Sequence, residues 1–418
     1  MSTLRATNIK NPDSGSNNIV LSEGGGVVIS GVTTVSNANI TGGSITGIST
    51  VGVTTVTTTN LTVNGNAYPT AGSLSNRNLI INGDMQVAQR GTSSTSSGYY
   101  TVDRWFNISN GGSMTHSQEN LSSGSPYDEG FRKYLRSTNT TASTAASTYR
   151  IMQQSIEAQN IAQSGWNYTS SSSYITLSFW VRSSVSQNFY SNVNSSDGTI
   201  QMYPFETGVL AADTWTKIVK RIPGNSNITI DNDNGTGLSI AIAPFYGTDR
   251  TDNSMIVDSW QTFASNNRSP DYDTTWASTT NATFDFTGVQ LEVGEVATPF
   301  EHRSYGDELA RCMRYYQVIT GWGFVIGSSS TTQVRTGIRY SPPMRDVPSF
   351  SLSKALKLNS PGSSETSQSS AAVSITGQSG SSTQYGAILS FSNFSGLTSQ
   401  QAYVAPWDNT QLFASAEL

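Results

Sequence analysis

The sequence predicts an all-β protein with a trimeric N-terminal β-repeat shaft, a jelly-roll β-sandwich, one short helix and a small C-terminal β domain. Only 12% of the 418 residues are charged, whereas Thr, Val, Ile, Tyr and Trp, which suit strands, are frequent. Gly, Asn and Ser, which favour turns, separate these strand-like runs. Glu, Lys and Leu, which favour helices, are scarce.

Residues 1–72 contain an internal repeat that predicts the trimeric shaft. The segment GVTTVSNANIT at 31–41 returns as GVTTVTTTNLT at 52–62. One copy buries too little apolar surface to offset its ordering entropy, but three chains around a common axis would let each apolar side chain face its symmetry mates. A flexible linker rich in Ser, Thr and Gly is the alternative. The predicted trimer contacts, two of them on the helix described below, are Val32, Val35, Ile40, Val53, Val56, Leu61, Leu309 and Met313.

Residues 73–305 predict one jelly-roll domain. Here the strand-like runs become longer and are separated by Ser, Asn and Gly turns, which is typical of sandwiches and jelly rolls. The predicted strands are 79–81, 174–181, 215–222, 238–242 and 283–286.

One helix is predicted at 307–317, within a connecting segment at 306–317. Leu309, Cys312, Met313 and Tyr316 recur at helical spacing and form one apolar stripe. Acidic residues begin the segment and arginines follow, as the helix dipole favours. Beyond it, residues 318–418 predict a small distal β domain, with strands at 323–326, 336–340, 371–375 and 387–391.

Charge and motif content argue against several classes of function. The net charge is −5 and Lys and Arg are nowhere clustered, so we predict no nucleic-acid partner. No apolar run is long enough to predict membrane insertion. A single cysteine, Cys312, excludes a cysteine-ligated zinc site, and neither a nucleophile elbow nor a P-loop occurs. We therefore predict a protein with no cofactor and no enzymatic activity, although a glycoside hydrolase, which needs only two carboxylates, stays open.

Two segments resemble a jelly-roll domain found in many phage tail-fibre proteins. The first is NLIINGDMQVAQRG at 78–91, followed by YTVDRW at 100–105. The second is TGVQLEVGEVATPFE at 287–301, which runs on into Glu308 and the Arg314-Tyr315-Tyr316 triplet. Together they span over half of the chain. The amino end is more loosely similar to the shafts of cyanophage fibre proteins.

The resemblance implies a tail fibre with a carbohydrate-binding-module-like jelly roll, exposed on the outside of a virion. Such a fibre would be a homotrimer that meets a tail adaptor or baseplate protein at its amino end and binds a host surface polysaccharide. We expect residues 318–418 to be its receptor-binding domain.

The motif residues themselves look structural. Gly83 and Gly91 are expected in turns, Trp105 beneath the sheet, and Asp103 and Arg104 in a buried ion pair with each other. Jelly-roll carbohydrate modules often hold a structural calcium between their first and last strands. Asp84 and Asp285 are therefore its predicted ligands, with backbone and amide oxygens supplying the rest.

Glycan binding needs aromatic faces for sugar rings and planar polar groups for their hydroxyls. A loop at 258–276 and two distal segments combine these residue types. The predicted glycan-binding residues are Trp260, Asp271, Tyr272, Trp276, Trp322 and Trp407. As alternatives, Trp260 and Trp276 plug the edge of the sandwich, and the distal tryptophans pack near a trimer axis.

Three functions are therefore open to test. A glycan-binding adhesin is the expected one, a short tailspike that cleaves polysaccharide is the second, and a purely structural baseplate or decoration protein is the third. Release of reducing ends from host polysaccharide separates the first two. Failure to bind host cells would favour the third.

Overall fold

The computed structural model divides the chain into two compact units, Met1–Thr57 and Thr58–Leu418. It describes residues 76–320, 325–359, 383–404 and 410–418, and elsewhere only a few short strands. In the first unit, β1 (Asn8–Ile9), β2 (Ile19–Leu21) and β3 (Val27–Ile29) form an antiparallel sheet in that order. In the second, β4 (Leu61–Val63) pairs with β5 (Asn66–Tyr68).

The predicted shaft contacts cannot be located in this structure. Val32, Val35, Ile40, Val53 and Val56 lie outside the described residues, and Leu61 is described only through the backbone of β4. The trimeric shaft and the predicted domain boundaries therefore stay predictions.

Two six-stranded antiparallel sheets form a sandwich, which confirms the predicted all-β fold. The strands are β6 (Ser93–Ser94), β7 (Phe106–Asn110), β8 (Ser113–Asn120), β9 (Lys133–Thr141), β10 (Tyr149–Glu157), β11 (Tyr174–Ser183), β12 (Gln187–Ser195), β13 (Gln201–Leu210), β14 (Thr216–Pro223), β15 (Thr236–Tyr246), β16 (Gln261–Thr262) and β17 (Thr283–Val293). The first sheet has the order β16–β13–β12–β15–β10–β7, and the second has the order β14–β11–β17–β9–β8–β6.

Alternation along the strands produces the core of this jelly roll. Phe179 and Val181 on β11, like Phe284 and Phe286 on β17, are fully or almost fully buried in one apolar cluster shared by both sheets. Their neighbours in sequence point to the opposite face of the sheet. The predicted strands at 174–181, 238–242 and 283–286 fall within β11, β15 and β17, and the one at 215–222 is β14 shifted by one residue. The segment at 79–81 is not a strand.

In the described ranges, four short α-helices join the strands: α1 (Ser125–Asp128), α2 (Ala158–Ala162), α3 (Thr275–Ser278) and α4 (Tyr305–Met313). The predicted helix is α4, and Ser304 caps it by accepting a hydrogen bond from the backbone N–H of Asp307 at 3.2 Å. It ends four residues earlier than predicted, because Tyr316 already begins the next strand. Within the described part of the chain, no helix is both long and apolar enough to cross a bilayer.

The distal module, residues 316–418, has its own small core beyond the jelly roll. Its strands are β18 (Tyr316–Ile319), β19 (Val325–Ser328), β20 (Val334–Arg339), β21 (Ser349–Leu352), β22 (Lys357–Leu358), β23 (Gln368–Ser369), β24 (Gly386–Phe391), β25 (Ala402–Val404) and β26 (Leu412–Ser415). They form one sheet in the order β18–β26–β21, another in the order β24–β20–β19–β25, and the pair β22–β23.

Candidate functional site

The predicted glycan-binding loop at 258–276 is used largely for packing. Trp276 lies on α3, is completely buried and belongs to the jelly-roll core. Its indole N–H donates to the carbonyl of Thr283 at 3.0 Å, and its backbone N–H donates to the Gln187 side chain at 2.8 Å. A ring with no exposed face cannot stack on a sugar. The prediction for Trp276 is therefore wrong, and the edge-plugging alternative describes it.

Tyr272 is also a structural residue. Its hydroxyl oxygen lies 2.7 Å from the carbonyl oxygen of Tyr190 and 2.8 Å from that of Ala243, so its single proton is shared between these two acceptors, which pair across β12 and β15. Its ring meets Tyr190 edge to face, with centroids 5.1 Å apart. Only 8% of the residue is exposed. Tyr272 thus ties the loop to the first sheet, and its predicted role as a sugar platform is wrong.

Trp260 and Asp271 keep some exposure. The indole N–H of Trp260 donates to the carbonyl of Pro223 at 2.6 Å, and its ring packs edge-on against Tyr203. This contact closes the edge of the sandwich, as the alternative predicted. Asp271 is exposed and accepts a hydrogen bond from the Asn253 side chain at 2.8 Å, which holds the loop together. A glycan contact by either residue stays a prediction.

The structure does not decide the roles of the four remaining predicted residues. Trp322 and Trp407 lie outside the described residues. Leu309 and Met313 are half-buried on α4, and their role in a trimer stays a prediction.

The predicted calcium ligands do not form a metal site within the described residues. Asp285 is completely buried, and its two oxygens accept hydrogen bonds from Arg136 and Arg182 at 2.7 to 3.0 Å. Two guanidinium groups already neutralise it, so its assignment as a calcium ligand is wrong. Burial and then the nearby Glu308 carboxylate raise the pKa of Asp84 to about 6. Among the described residues, no group of three or more His, Cys, Asp or Glu side chains is placed to hold a metal ion.

The motif residues at 78–105 join the two ends of the jelly roll. Asn82 adopts a positive φ of 58°. Its side chain donates to the carbonyls of Val87 at 2.8 Å and Asp103 at 3.0 Å. A Cβ on Gly83 would lie 2.1 Å from the carbonyl oxygen of Val289 on β17, so only glycine permits this approach. These motif residues are therefore structural, as predicted.

Asp103 and Arg104 are both buried, but they do not pair with each other as predicted. Asp103 accepts hydrogen bonds from Gln89, whereas Arg104 pairs with Glu417 near the end of the chain. Successive residues point in different directions here because Arg104 has a positive φ of 71°.

Arg104, Arg90 and Glu417 form what we call the carboxylate clamp, together with the rings of Tyr315 and Tyr316. Arg90 lies 3.1 Å from the Glu417 carboxylate. The Arg104 guanidinium stacks 3.4 Å from the Tyr315 ring centroid, and that of Arg90 stacks 3.5 Å from that of Tyr316. The clamp thus fixes the distal module to the jelly roll.

An open groove of about 740 Å³ crosses the distal module. It lies over β20 and β24, where Gly337 faces Ile388 across the strands and Arg339 faces Gly386. A Cβ built on Gly337 meets no atom within 4 Å, so the missing side chain leaves the groove its depth. Arg339 is exposed, and no described residue accepts a hydrogen bond from its guanidinium.

A short turn presents an aromatic ring beside this groove. The backbone N–H of Thr383 donates to the carbonyl of Gly386 at 2.9 Å, and that of Tyr340 donates to the carbonyl of Tyr385 at 3.1 Å. These bonds hold Tyr385 with 61% of its surface exposed. The groove therefore combines an exposed aromatic ring at Tyr385, an exposed guanidinium at Arg339 and an apolar wall at Ile388.

The sequence patterns did not indicate this groove, because the predicted sites were segments in which aromatic and polar residues are neighbours along the chain. The available signal was the alternation of Arg335, Gly337 and Arg339, which all lie on β20 although the predicted strand began only at residue 336. A long segment of chain separates β20 from its partner β24, which begins just after Tyr385. The pairing of these two strands therefore leaves no local pattern in the sequence.

Comparison with known proteins finds distant structural likenesses. No family model and no curated protein matches the chain. The chain is similar to the enzymatically active domain of tailspike protein 4 of bacteriophage CBA120, with 10% identity and a TM-score of 0.28 over 52% of this chain and 21% of that chain. It is similar to the family 11 carbohydrate-binding module from Clostridium thermocellum, with 14% identity and a TM-score of 0.24 over 50% of this chain and 98% of that chain.

A third likeness is to the CBM22-1–CBM22-2 tandem domain of Paenibacillus barcinonensis Xyn10C, with 10% identity and a TM-score of 0.24 over 79% of this chain and 98% of that chain. At such TM-scores the three likenesses carry no argument about function. The groove, the clamp and the sheets have to be interpreted from their own chemistry.

Proposed function

We propose that this chain is a homotrimeric bacteriophage tail fibre protein, without enzymatic activity, that binds a host surface glycan through the groove of its distal module. The observation that carries the proposal is the exposed Tyr385 ring beside the exposed Arg339 guanidinium, from which no described residue accepts a hydrogen bond. A sugar ring presents an apolar face that stacks on an aromatic ring and hydroxyls that accept hydrogen bonds from a guanidinium. A groove of about 740 Å³ falls within the usual size of small-ligand sites.

The organisation of the chain also supports this proposal. The repeats at 31–41 and 52–62 suit a shaft that three chains share. The segments that resemble tail-fibre jelly rolls hold the distal module in a fixed position through Arg104 and Glu417. Such a chain would attach to a tail adaptor or baseplate protein at its amino end and expose the groove on the outside of the virion. Weak single sites would gain avidity from three copies per fibre.

The test is glycan binding by the full-length trimer on an array of bacterial surface oligosaccharides. Tyr385→Ala is expected to weaken binding at least about tenfold, because a central aromatic anchor usually dominates such a site. Tyr100→Ala is the matched control, since Tyr100 is 49% exposed but lies on the jelly roll. Equal effects of the two substitutions, or unchanged binding by Tyr385→Ala, would exclude the groove as the site.

Two further measurements separate the alternatives. Immunogold electron microscopy of the virions should label their tails, and labelling elsewhere would contradict the location. Incubation of the bound polysaccharide with the trimer should release no reducing ends. Continuous release would establish the tailspike hydrolase instead, and a trimer that binds neither glycan nor host cells would indicate a structural protein.

A further inference from the structure

A row of charged side chains crosses the outer face of the second jelly-roll sheet. Asp285 on β17 lies directly opposite Arg136 on β9 and Arg182 on β11, so the three stand abreast on adjacent strands. The neighbouring residues Leu135 and Phe286 are completely buried in the core between the sheets. Because side chains alternate along a strand, the charged row faces away from the core.

Asp285 holds both guanidinium groups in place. Arg136 donates from Nε and Nη2 to its two oxygens, at 2.8 and 2.9 Å, and Arg182 donates from Nε and Nη2 to Oδ2, at 3.0 and 2.7 Å. Asp285 is fully buried, whereas 29% of the Arg136 side chain and 24% of the Arg182 side chain are exposed. No described residue accepts a hydrogen bond from either Nη1, so both arginines keep oriented donors.

Two aromatic rings flank this row. The Arg182 guanidinium lies 4.7 Å from the ring centroid of the half-buried Trp215 and 5.5 Å from that of Tyr134. The two rings meet edge to face at 5.6 Å. We call Arg136, Arg182, Asp285 and Trp215 the arginine platform.

We propose that the arginine platform is a second saccharide site, and that it binds a sugar bearing a carboxylate, such as a uronic acid. The platform has two guanidinium groups and one carboxylate, which leaves one positive charge in excess. A guanidinium donates only, so its partner must be rich in acceptor oxygens, and hydrogen bonds between two charged groups are the strongest. Trp215 supplies an apolar edge for the sugar ring.

The surrounding charges indicate where the carboxylate of the ligand binds. Glu119 borders the Arg136 side, where it accepts a hydrogen bond from Ser117 at 2.6 Å. An anion is repelled there. On the other side, Glu129 is already neutralised by Lys217 at 3.1 Å. The carboxylate of the ligand is therefore expected to bind at Arg182, beside Trp215.

The site adds an acidic sugar class to the glycan-binding function proposed above, but its test does not depend on the groove. Full-length protein is titrated with pairs of oligosaccharides that differ only at C6 of one sugar. In one member of each pair C6 is a carboxylate, and in the other it is a hydroxymethyl group. At least one uronate is expected to bind about tenfold or more tightly than its neutral partner, as one charge-assisted hydrogen bond allows. Arg182→Gln should reduce that preference to about twofold or less.

Arg221→Gln is the matched control, because Arg221 lies on the same sheet in an exposed pair with Glu295. Trp215→Leu keeps the contacts of Asp285 with Arg136 and Arg182 and should weaken binding of the uronate. This variant provides the test if Arg182→Gln does not fold. A panel without any uronate preference, or a preference that survives both substitutions, would overturn the proposal. Tyr385→Ala should leave the uronate preference unchanged, so failure of the groove and failure of the platform are distinguishable.

Discussion

At the scale of single residues, His116 lies inside the jelly roll without a full set of hydrogen-bond partners. Its Nδ1 is 2.9 Å from the Ser137 hydroxyl, but its Nε2 is buried and has no partner. Burial, and then the charge of Arg150, lower the pKa of His116 from 6.5 to about 4. The imidazole is therefore neutral in the folded protein at neutral pH.

This shift makes the jelly roll acid-sensitive. Between pH 6.5 and about 4 the unfolded chain binds a proton that the folded chain does not. The free energy of unfolding is therefore highest above pH 6.5, as far as His116 determines it, and falls by about 3 kcal/mol as the pH drops to 4. His116→Asn, which keeps a polar atom near Nδ1, should flatten this part of the dependence in urea unfolding. An unchanged slope would contradict the assignment.

The pH dependence of stability that arises from Asp84 has the opposite sign to that from His116. Its folded pKa of about 6 lies above the ordinary value of 3.8, so the folded chain keeps a proton that the unfolded chain loses. Stability is therefore lost as the pH rises through 6, by about 3 kcal/mol, and Asp84→Asn should recover it at neutral pH. The urea midpoint measures this directly. If added calcium stabilises the wild type but not Asp84→Asn, the residue binds calcium after all.

Only part of the residue-scale picture could be predicted from the sequence. Trp105 beneath the sheet followed from its motif, and the structure buries it completely. Trp276 did not, because its loop has no periodicity, and its burial depends on Gln187 and the distant core. The two arginines on Asp285 are likewise set by strand register, which brings together residues far apart in the chain.

At the scale of secondary-structure elements, strands with clear alternation were predictable and their ends were less so. The stripe from Leu309 to Met313 indicated α4, yet the same spacing continued to Tyr316, which belongs to β18. Helical periodicity cannot show where a chain leaves the helix to pair with a distant strand. That partner is β26, almost a hundred residues later.

The carboxylate clamp holds the end of the distal module next to β26, and we expect its loss to lower the free energy of unfolding more than the loss of an exposed ion pair does. Glu417→Gln leaves Arg104, which is 1% exposed, buried without its counter-ion. Breaking one side of a buried pair costs about 3–5 kcal/mol. Glu295→Gln is the control, because its pair with Arg221 is exposed and worth about 1 kcal/mol or less. Urea unfolding of both variants checks the difference, and equal losses would show that the clamp is not a buried pair in solution.

At the scale of the whole molecule, the predicted trimer can be tested through α4. Met313→Asp would place a charge on the half-buried stripe and weaken assembly by roughly several kcal/mol if three chains meet there. Ala310→Asp, on the exposed side of the same helix, should leave assembly unchanged. Sedimentation equilibrium of the full chain measures both. A wild-type monomer would contradict the trimer, and equal effects would remove α4 from its interface.

The pairing of β18 with β26 has a consequence for how such proteins change over time. Tyr316 lies opposite Ser415, and Ile319 lies opposite Leu412, so β18 and β26 lie side by side. Recombination that replaces everything between Ile319 and Leu412 would keep both strands and the Arg104–Glu417 contact. Such a replacement would change the groove and keep the strands and the ion pair that attach the module to the jelly roll. In the tail fibre proposed above, one such genetic exchange would alter the glycan that is bound and leave the rest of the fibre unchanged.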